Sequence, residues 1–391
     1  MIKKRRPDVK KSIAVLIFTA LIISTPSCLL AESENVLTWQ KASLWLNRDS
    51  NVLKDLAEAE KNSKKQYEEA KENAKTIDTR GRTVYILGQE IRIAFDDTTQ
   101  MFMTQQKELF PEQMRYYWNM TQDSKRRTSN SLTISLRNMY LGLYSAHNDV
   151  RIKELKYEVA ENLHNQNQLK LEKGMITEIE ALESEYALEK ARAELAAARR
   201  NRENMLRSFN HFLCRDIHTD YDDIRLESQL YTIFRDYDYY LGRALVNRAE
   251  IKQAERQLAL LEQKKKIMDR FPLSMNTVSV RKDYNNLLLD MEIQEARLEQ
   301  AKLDIEVEVK EAYIEAAAAV KNTENMKKLL DLQKSNIDKI RRLYEKGLVS
   351  KTVLDQSEIG YLEFCSSYDL TLFDCNTKLM KLVYVSGIGM A

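Results

Sequence analysis

The chain contains one short motif twice. Residues 172–177 read Glu-Lys-Gly-Met-Ile-Thr and residues 345–350 read Glu-Lys-Gly-Leu-Val-Ser, so Gly347 repeats Gly174 at a constant shift (347 − 174 = 173). The same shift superimposes, without a gap, the pairs Tyr140 and Tyr313, Thr177 and Ser350, and Leu206 and Leu379. A match over this length indicates an internal duplication, which restricts the fold to two copies of one structural unit.

Each motif predicts the turn of a helical hairpin. Glycine at the end of a periodic segment supplies the left-handed residue that ends a helix. Thr177 or Ser350, three positions later, can cap the next helix by accepting a backbone N–H. The motif alone fits an ordinary turn as well as a specialised tip, and the duplication and the long flanking helices favour the tip.

Composition favours long helices. Only 9 glycines and 4 prolines interrupt 391 residues, of which 31% are charged. So few helix-breaking residues argue against a fold of short strands and tight turns. The 61 basic residues nearly balance the 59 acidic ones, so the composition does not support nucleic-acid binding, which calls for a basic excess.

Residues 1–31 have the layout of an export signal. An apolar run, 13–23, precedes Ser24, Thr25 and Pro26, and cleavage after Ala31 is the expected outcome. An uncleaved membrane anchor over 13–30 and lipidation at Cys28 are the alternatives. The basic residues before the run are Lys3, Lys4, Arg5, Arg6, Lys10 and Lys11.

The remaining cysteines do not indicate a disulfide framework. They are Cys214, Cys365 and Cys375. Cys365 and Cys375 fall on one predicted helix, roughly 15 Å apart, which is too far for a disulfide bridge. The odd number predicts buried thiols.

Periodicity predicts a mainly α fold of two tandem repeats of long antiparallel helical hairpins, with little or no β structure. The first repeat is expected over 32–240, with an irregular, mostly helical insert at 76–131, and the second over 241–391. Residues 91–95 within the insert suit a strand and a helix equally well. The predicted helices are 51–75, 133–172, 178–212, 251–271, 287–345 and a last one that ends near residue 385.

Two further patterns support the repeat. Residues 245–248, Leu-Val-Asn-Arg, echo Leu-Asn-Arg at 46–48, and each precedes a helix rich in Glu and Lys. In the second repeat, apolar residues recur every three or four positions, which is typical of coiled-coil packing along a helix. They are Leu298, Ala301, Ile305, Val309, Ala312, Ala316 and Ala319.

No arrangement of residues predicts catalysis. The four histidines (His147, His164, His211 and His218) lack zinc-site spacing, and no phosphate loop, nucleophile elbow or dinucleotide motif is present. The connector at 214–241 is rich in Asp and Tyr but lacks the spacing of a calcium loop, which favours a solvated linker. We therefore expect no enzyme activity, no cofactor and no metal.

With its export signal, duplicated halves and glycine tips, the chain resembles the TolC-like outer membrane efflux family. Each half has a Leu-Thr or Asn-Arg opening, a long helix, a tip, and then a helix that carries Leu182 or Leu354. The resemblance implies a homotrimer whose long helices form a barrel across the periplasm. It also implies that the tips dock onto a periplasmic adaptor (membrane fusion) protein of an inner-membrane pump, which supplies the energy for export.

The resemblance also implies which residues dock. One tip would consist of Lys173, Gly174, Met175, Ile176 and Thr177, and the other of Lys346, Gly347, Leu348, Val349 and Ser350. A tight turn that exposes two apolar side chains at a helix end would fit a groove on the partner.

The sequence departs from the family where the membrane strands should lie. A spanning strand needs about 9–11 residues, whereas only 14 residues separate Pro272 from Leu287 (273 to 286). The insert at 76–131 is long enough but carries Asp96-Asp97 and Lys125-Arg126-Arg127, which do not suit a lipid-facing band. We therefore expect reduced or missing β-barrel hairpins. Two functions follow: an efflux duct component of the outer membrane and periplasm, or a barrel-less extracytoplasmic coiled-coil scaffold without pore activity.

Overall fold

The computed structural model describes residues 36–226 and 233–388. Within these ranges the chain is mainly α and consists of two tandem copies of a long antiparallel helical hairpin, as predicted. The predicted signal segment at 1–31, with Cys28, lies outside the described residues.

The first repeat begins with a short strand and ends with the first long hairpin. A π-helical turn, Gln105–Leu109, joins its third and fourth helices. The elements in chain order are β1 (Val36–Thr38), α1 (Trp39–Asp49), α2 (Asn51–Thr76), β2 (Gly81–Ile86), β3 (Gln89–Ala94), α3 (Asp97–Thr104), α4 (Phe110–Glu172) and α5 (Glu178–Phe212).

The second repeat follows the same plan. A 3₁₀ turn, Pro272–Asn276, takes the place of the insert, and a strand that pairs in parallel with β1 precedes the repeat. That strand is β4 (Asp223–Arg225), and the helices that follow it are α6 (Tyr237–Asn247), α7 (Ala249–Asp269), α8 (Val278–Glu345) and α9 (Lys351–Val385). The 68 residues of α8 extend roughly 100 Å at the helical rise.

Helix bounds confirm the duplication and locate the difference between the copies. Helices α5 and α9 are both 35 residues long, and their first residues are related by the shift of the two motifs (351 − 178 = 173). The stretch from the start of α2 to the end of α4 covers 51–172, whereas the stretch from α7 to α8 covers only 249–345. The additional length of the first copy provides the β2–β3 hairpin and α3.

Three apolar clusters hold the helices together. One surrounds Tyr140 and Phe373 and joins α1, α4, α5 and α9 around the β1–β4 pair. A second contains the predicted seam of α8, with Ile305 and Val309 buried against α6 and α9. A third lies at the end of the bundle where α7 ends and α8 begins, around Met101 and Ile267.

Helix α4 begins at Phe110, not near residue 133 as predicted. The first turns of α4 contain polar and aromatic residues, which obscure the helical periodicity in the sequence. These residues pack against α2, where Trp118 stacks on Tyr67 with ring centroids 5.7 Å apart. Lys125 Nζ lies 2.8 Å from Glu60 Oε2 on the same neighbour. The basic run is therefore on a helix–helix interface and not in an irregular insert.

The structure decides between strand and helix at residues 91 and 93 and corrects the predicted start of α8. For residues 91 and 93 the strand alternative is correct, because both lie in β3, whereas the insert from residue 97 onward is helical. Helix α8 starts at Val278, well before the predicted start at 287, so residues 278–286 are not a separate segment.

The similar residues at 46–48 and 245–248 do not occupy equivalent positions in the two repeats. The break between the first two helices falls at Ser50 in the first copy and at Arg248 in the second. Arg48 is therefore displaced from the position of Arg248 and is exposed, whereas Arg248 is mostly buried. The domain boundary at 240/241 stays a prediction, and Leu241 lies inside α6.

The prediction of buried thiols holds for one cysteine. Cys375 is buried, Cys365 is partly buried and Cys214 is exposed, and all three are free. Cys214 is exposed because it follows the last turn of α5 with a positive φ of 54°, where the chain reverses toward β4.

Candidate docking tips

The two glycine motifs form the same helix-terminating turn. Gly174 and Gly347 have φ values of +64° and +70°. In the first tip, Met175 N donates to Lys170 O and Gly174 N donates to Leu171 O, both at 2.8 Å. In the second, Leu348 N donates to Leu343 O at 2.9 Å, which repeats the pattern. This is the Schellman motif, which satisfies the last carbonyls of a helix with the help of a left-handed residue.

The next helix begins with a side-chain cap in both tips. Thr177 Oγ1 accepts from Glu180 N at 3.3 Å, and Glu180 Oε2 accepts from Thr177 N at 2.7 Å, which completes a capping box. These hydrogen bonds from the Thr177 backbone and then its hydroxyl lower the pKa of Glu180 below its ordinary value. Ser350 accepts from Val353 N at 3.3 Å, and the valine cannot return a bond, so the second cap is simpler.

Each tip exposes most of one apolar side chain and only part of the second, whereas the sequence predicted two exposed apolar side chains. Met175 and Leu348 have 69% and 68% of their surface exposed. Ile176 and Val349, the next residues, are half-buried. The left-handed glycine turns the chain so that the first apolar residue points away from the hairpin and the second points partly inward.

The helices beyond the tips differ. Leu182 and Leu354, paired in the sequence analysis, are not equivalent, because the shift that relates the two motifs places Ala181 at the position of Leu354 (354 − 181 = 173). Ala181 and Leu354 are both buried, whereas Leu182 is 56% exposed. The first tip therefore continues into an exposed apolar stripe that the second lacks: Met175, Ile179, Leu182 and Tyr186. Sequence reasoning missed this stripe, although its spacing of three and four positions was a usable signal.

Both tips lie at the same end of the molecule. Helix α4 runs toward the first tip and α9 runs away from the second, and the two helices pack antiparallel. Lys156 Nζ on α4 lies 2.6 Å from Glu363 Oε1 on α9. Lys156 is about five helical turns from Gly174, and Glu363 is between four and five turns from Gly347, so each tip extends roughly 25 Å beyond this ion pair.

Partly exposed ion pairs connect the two arms of each hairpin. Lys153 Nζ lies 2.7 Å from Glu194 Oε2 between α4 and α5, and Arg341 Nε lies 3.0 Å from Glu358 Oε1 between α8 and α9. Pairs this exposed contribute little stability, so their main effect is on the alignment of the arms.

Helix α8 has an apolar face that the rest of the described chain does not cover. This face is separate from the buried seam, and its members are successively four, ten, four and seven positions apart, which keeps them on one side of the helix, as in a lengthwise helix contact. The exposed members are Leu289, Ile293, Leu303, Val307 and Ile314.

Nowhere in 36–226 or 233–388 do three His, Cys, Asp or Glu side chains converge closely enough to hold a metal ion. In the same part of the chain, no helix combines the length and the apolar character needed to cross a bilayer.

Comparison with known proteins gives matches at the level of structure alone. No protein-family model and no curated protein sequence matches the chain. Solved structures match over most of its length. The CmeC outer membrane channel of Campylobacter jejuni is 11% identical and superimposes with a TM-score of 0.59 over 91% of this chain and 86% of that chain.

Two further solved structures superimpose on this chain to a similar extent. CusC, whose structures concern folding and transmembrane channel formation, is 12% identical with a TM-score of 0.61 over 90% of this chain and 92% of that chain. The MtrE outer membrane channel of Neisseria gonorrhoeae, in its open state, is 13% identical with a TM-score of 0.56 over 90% of this chain and 89% of that chain. This chain has a TolC-like fold.

The TolC-like fold confirms the predicted architecture. The expected reduction of the β hairpins is also present in the described residues, since β2 and β3 have 6 residues each and the second copy has a 3₁₀ turn at the equivalent place. Strands of this length are shorter than the ~9–11 residues of a spanning strand.

Proposed function

We propose that the chain is one protomer of a trimeric efflux duct that is exported to the periplasm and outer membrane. The observation that carries this proposal is the pair of matched helical hairpins, which end in the same turn at one end of a TolC-like fold. In this function the protein supplies a passive, water-filled passage, and a partner pump supplies the energy.

Self-association follows from the exposed apolar face of α8. A single chain leaves Leu303, Val307 and Ile314 in water, although each fully buried aliphatic side chain contributes about 1.5–3 kcal/mol. The heptad-like spacing requires a partner that is itself a long helix.

The tips would dock onto a periplasmic adaptor of an inner-membrane pump. Each tip offers one exposed apolar side chain on a rigid turn, and a rigid anchor loses little entropy when it binds. Lys173 and Lys346, both exposed beside these anchors, would contact the rim of the partner's groove. The residues that would hold the anchors in place are Gly174, Ile176 and Thr177, with Gly347, Val349 and Ser350.

Site-specific photo-crosslinking in cells tests the docking. A photoreactive amino acid at Met175 or Leu348 is expected to cross-link to an adaptor encoded near this gene, and the same group at the equally exposed Leu332 is the control. Replacement of Gly174 and Gly347 by bulky residues should abolish the cross-links, because the left-handed turn cannot form. Undiminished cross-linking in those variants would disprove the docking proposal.

A scaffold without pore activity is the second candidate, and the short strands favour it. Strands of 6 residues in the described part of the chain do not cross a bilayer by themselves. Conductance of the purified protein in planar lipid bilayers separates the two functions. Discrete conductance steps support the duct with its pore, and their absence at all protein concentrations supports the scaffold.

A further inference from the structure

A cavity of about 670 Å³ lies between α4, α5 and the connector that follows α5. This volume is in the range of small-molecule sites, which measure about 300–1,000 Å³. Val150, Leu206 and Ile217 give the cavity an apolar part, and its other lining residues are polar or charged. One chain forms the whole cavity, so a site here does not depend on the proposed duct.

Arginines outnumber carboxylates in the lining of this cavity. The fourth arginine, Arg151, is exposed and makes no ion pair or hydrogen bond with the described residues. Asp223, a further carboxylate on the connector, is paired with Arg225. Three ion pairs use the carboxylates of the lining: Arg199 with Glu154, nitrogen to oxygen 2.8 Å, Arg202 with Asp220, 2.6 Å, and Arg207 with Glu203.

His147 adds a second hydrogen-bond donor without a partner. Arg202 Nε donates to His147 Nδ1 at 3.3 Å. A guanidinium group can only donate, so Nδ1 is unprotonated and the ring proton is on Nε2. No described residue accepts this proton. Burial, and after it the charge of Arg202, lowers the pKa of His147 below its ordinary value, so the imidazole is neutral at neutral pH.

The two unpartnered donors are neighbours. His147 and Arg151 are four positions apart on α4, which places them on one face of the helix with Cβ atoms about 6 Å apart. Both line the cavity, as does the exposed His218 of the connector. An imidazole N–H beside a charged guanidinium group offers hydrogen bonds to several oxygens of one anion.

The chemistry of these donors favours phosphate over carboxylate. Arginine binds phosphate through two parallel N–H···O bonds. A phosphate group presents three strong acceptor oxygens and nearly two negative charges, whereas a carboxylate presents two oxygens and one charge. The guanidinium group of Arg151 and the Nε2–H of His147 together supply at least three donors, which matches the phosphate.

We propose that this cavity binds a phosphate group, with Arg151 and His147 as the donors that hold it. Free phosphate and a phosphate ester share this chemistry. The apolar part of the lining, Val150 and Leu206, contacts the organic part of an ester, and the volume of the cavity leaves room for it.

Isothermal titration calorimetry of the full chain tests the site. The probes are glucose 6-phosphate, inorganic phosphate, succinate and uncharged glucose, all at one ionic strength. Both phosphates are expected to bind saturably at one site per chain, and glucose should give no heat of binding. Tighter binding of the sugar phosphate than of inorganic phosphate assigns the site to an ester, and equal or weaker binding assigns it to free phosphate. Succinate that binds as tightly as phosphate, or no saturable binding of either phosphate, overturns the proposal.

Variants identify the residues that bind. Arg151→Gln should weaken the binding of glucose 6-phosphate about tenfold, because hydrogen bonds from a charged group are lost. Arg200→Gln, at an exposed arginine of α5 outside the cavity, is the matched control and should bind as the unaltered chain does. His147→Asn keeps an acceptor for Arg202 but lacks the Nε2–H, so it should weaken binding as well.

Two results with these variants would overturn the proposal. One is unchanged binding by Arg151→Gln, and the other is an equal loss in Arg151→Gln and Arg200→Gln, which would indicate attraction to the overall charge. Both arginines are exposed, so neither replacement should affect folding, and circular dichroism of each variant checks this. The titrations involve neither adaptor nor membrane, so their failure leaves the proposed duct intact.

Discussion

The guanidinium carbon of Arg137 lies 4.2 Å from the centre of the Phe373 ring, and this contact joins the two repeats. Arg137 belongs to α4 of the first copy and Phe373 to α9 of the second. Arg137 Nε also donates to Thr377 Oγ1 at 3.0 Å, and the ring of Trp39 lies 4.6 Å away. A fully buried arginine between two aromatic rings thus fixes how the two hairpins are aligned.

Replacing Arg137 by lysine should destabilise the protein by about 2 kcal/mol, although the charge is kept. A compact ammonium group cannot stack on both rings, and a desolvated cation–π contact is worth about this amount. Urea unfolding followed by circular dichroism at fixed protein concentration measures the change. Arg200→Lys, at an exposed position on α5, is the control and should unfold as the unaltered protein does.

Replacing Asp369 by asparagine should stabilise the fold at neutral pH. Burial raises the pKa of Asp369 above its ordinary value of 3.8, despite a hydrogen bond from Tyr144 Oη at 2.8 Å. The folded state therefore holds this proton more tightly than the unfolded state, and the associated stability is lost as pH rises through the raised value. Asparagine keeps an acceptor for Tyr144 and has no charge. The gain in stability from the asparagine should vanish below pH 3.8, where the aspartate is protonated as well. A gain in stability that does not depend on pH would show that burial of the charge is not its cause.

Replacing Gly347 by alanine should cost about 1 kcal/mol, because a Cβ is unfavourable in the left-handed conformation. No described atom lies within 4 Å of the position that this Cβ would take, so the cost is one of backbone conformation alone. Gly360→Ala, within α9 and equally open, is the matched control of opposite sign: it should stabilise by about 0.5–1 kcal/mol. Thermal unfolding of both variants measures the two changes in stability. Equal changes would contradict the left-handed conformation of Gly347 in the turn.

Replacing Arg248 by methionine should cost about 2 kcal/mol at neutral pH, the typical worth of buried hydrogen bonds to charged groups. Arg248 donates to Val385 O at 2.9 Å and to Glu308 Oε2 at 2.7 Å. Burial is the largest single influence and raises the pKa of Glu250, but the hydrogen bonds from Arg248 and from its own backbone N–H, together with the charges of Arg248 and Arg127, outweigh burial and the pKa is lowered. The cost should therefore shrink as the pH falls and Glu250 takes up a proton.

The matched control for Arg248→Met is Arg48→Met. These two arginines look alike in the sequence, but Arg48 is exposed and pairs only with its neighbour Asp49 in the described structure. Its replacement should leave the denaturant midpoint unchanged. A loss of equal size in both variants would contradict the buried role of Arg248.

The parts of the fold that depend on local chemistry could be predicted from the sequence. The start of α5 at Glu178 follows from the glycine before Thr177 and from the capping residue itself. The same reasoning gave the two tips and the end of α9 near Val385. At these helix ends the capping and terminating residues lie within a few positions of the end, so a single sequence contains the necessary information.

The parts that depend on distant partners could not be predicted. Trp118 and Lys125 lie in a helix because α2 packs beside them, and the sequence does not show this contact between segments that are far apart in the chain. From the sequence alone, Arg137 is expected to be a surface residue, whereas in the folded chain it lies between Trp39 and Phe373. The exposure of each apolar residue in a tip depends on the direction that the chain takes after the turn. The sequence does not show this direction, so two exposed apolar residues were predicted.

Electron microscopy of the purified protein tests the duct most directly, since a duct requires several copies around a lumen. The account predicts elongated particles whose end views show three copies around an open centre. Single rods without a lumen, at concentrations where the exposed apolar face of α8 should associate with a second copy, would contradict it.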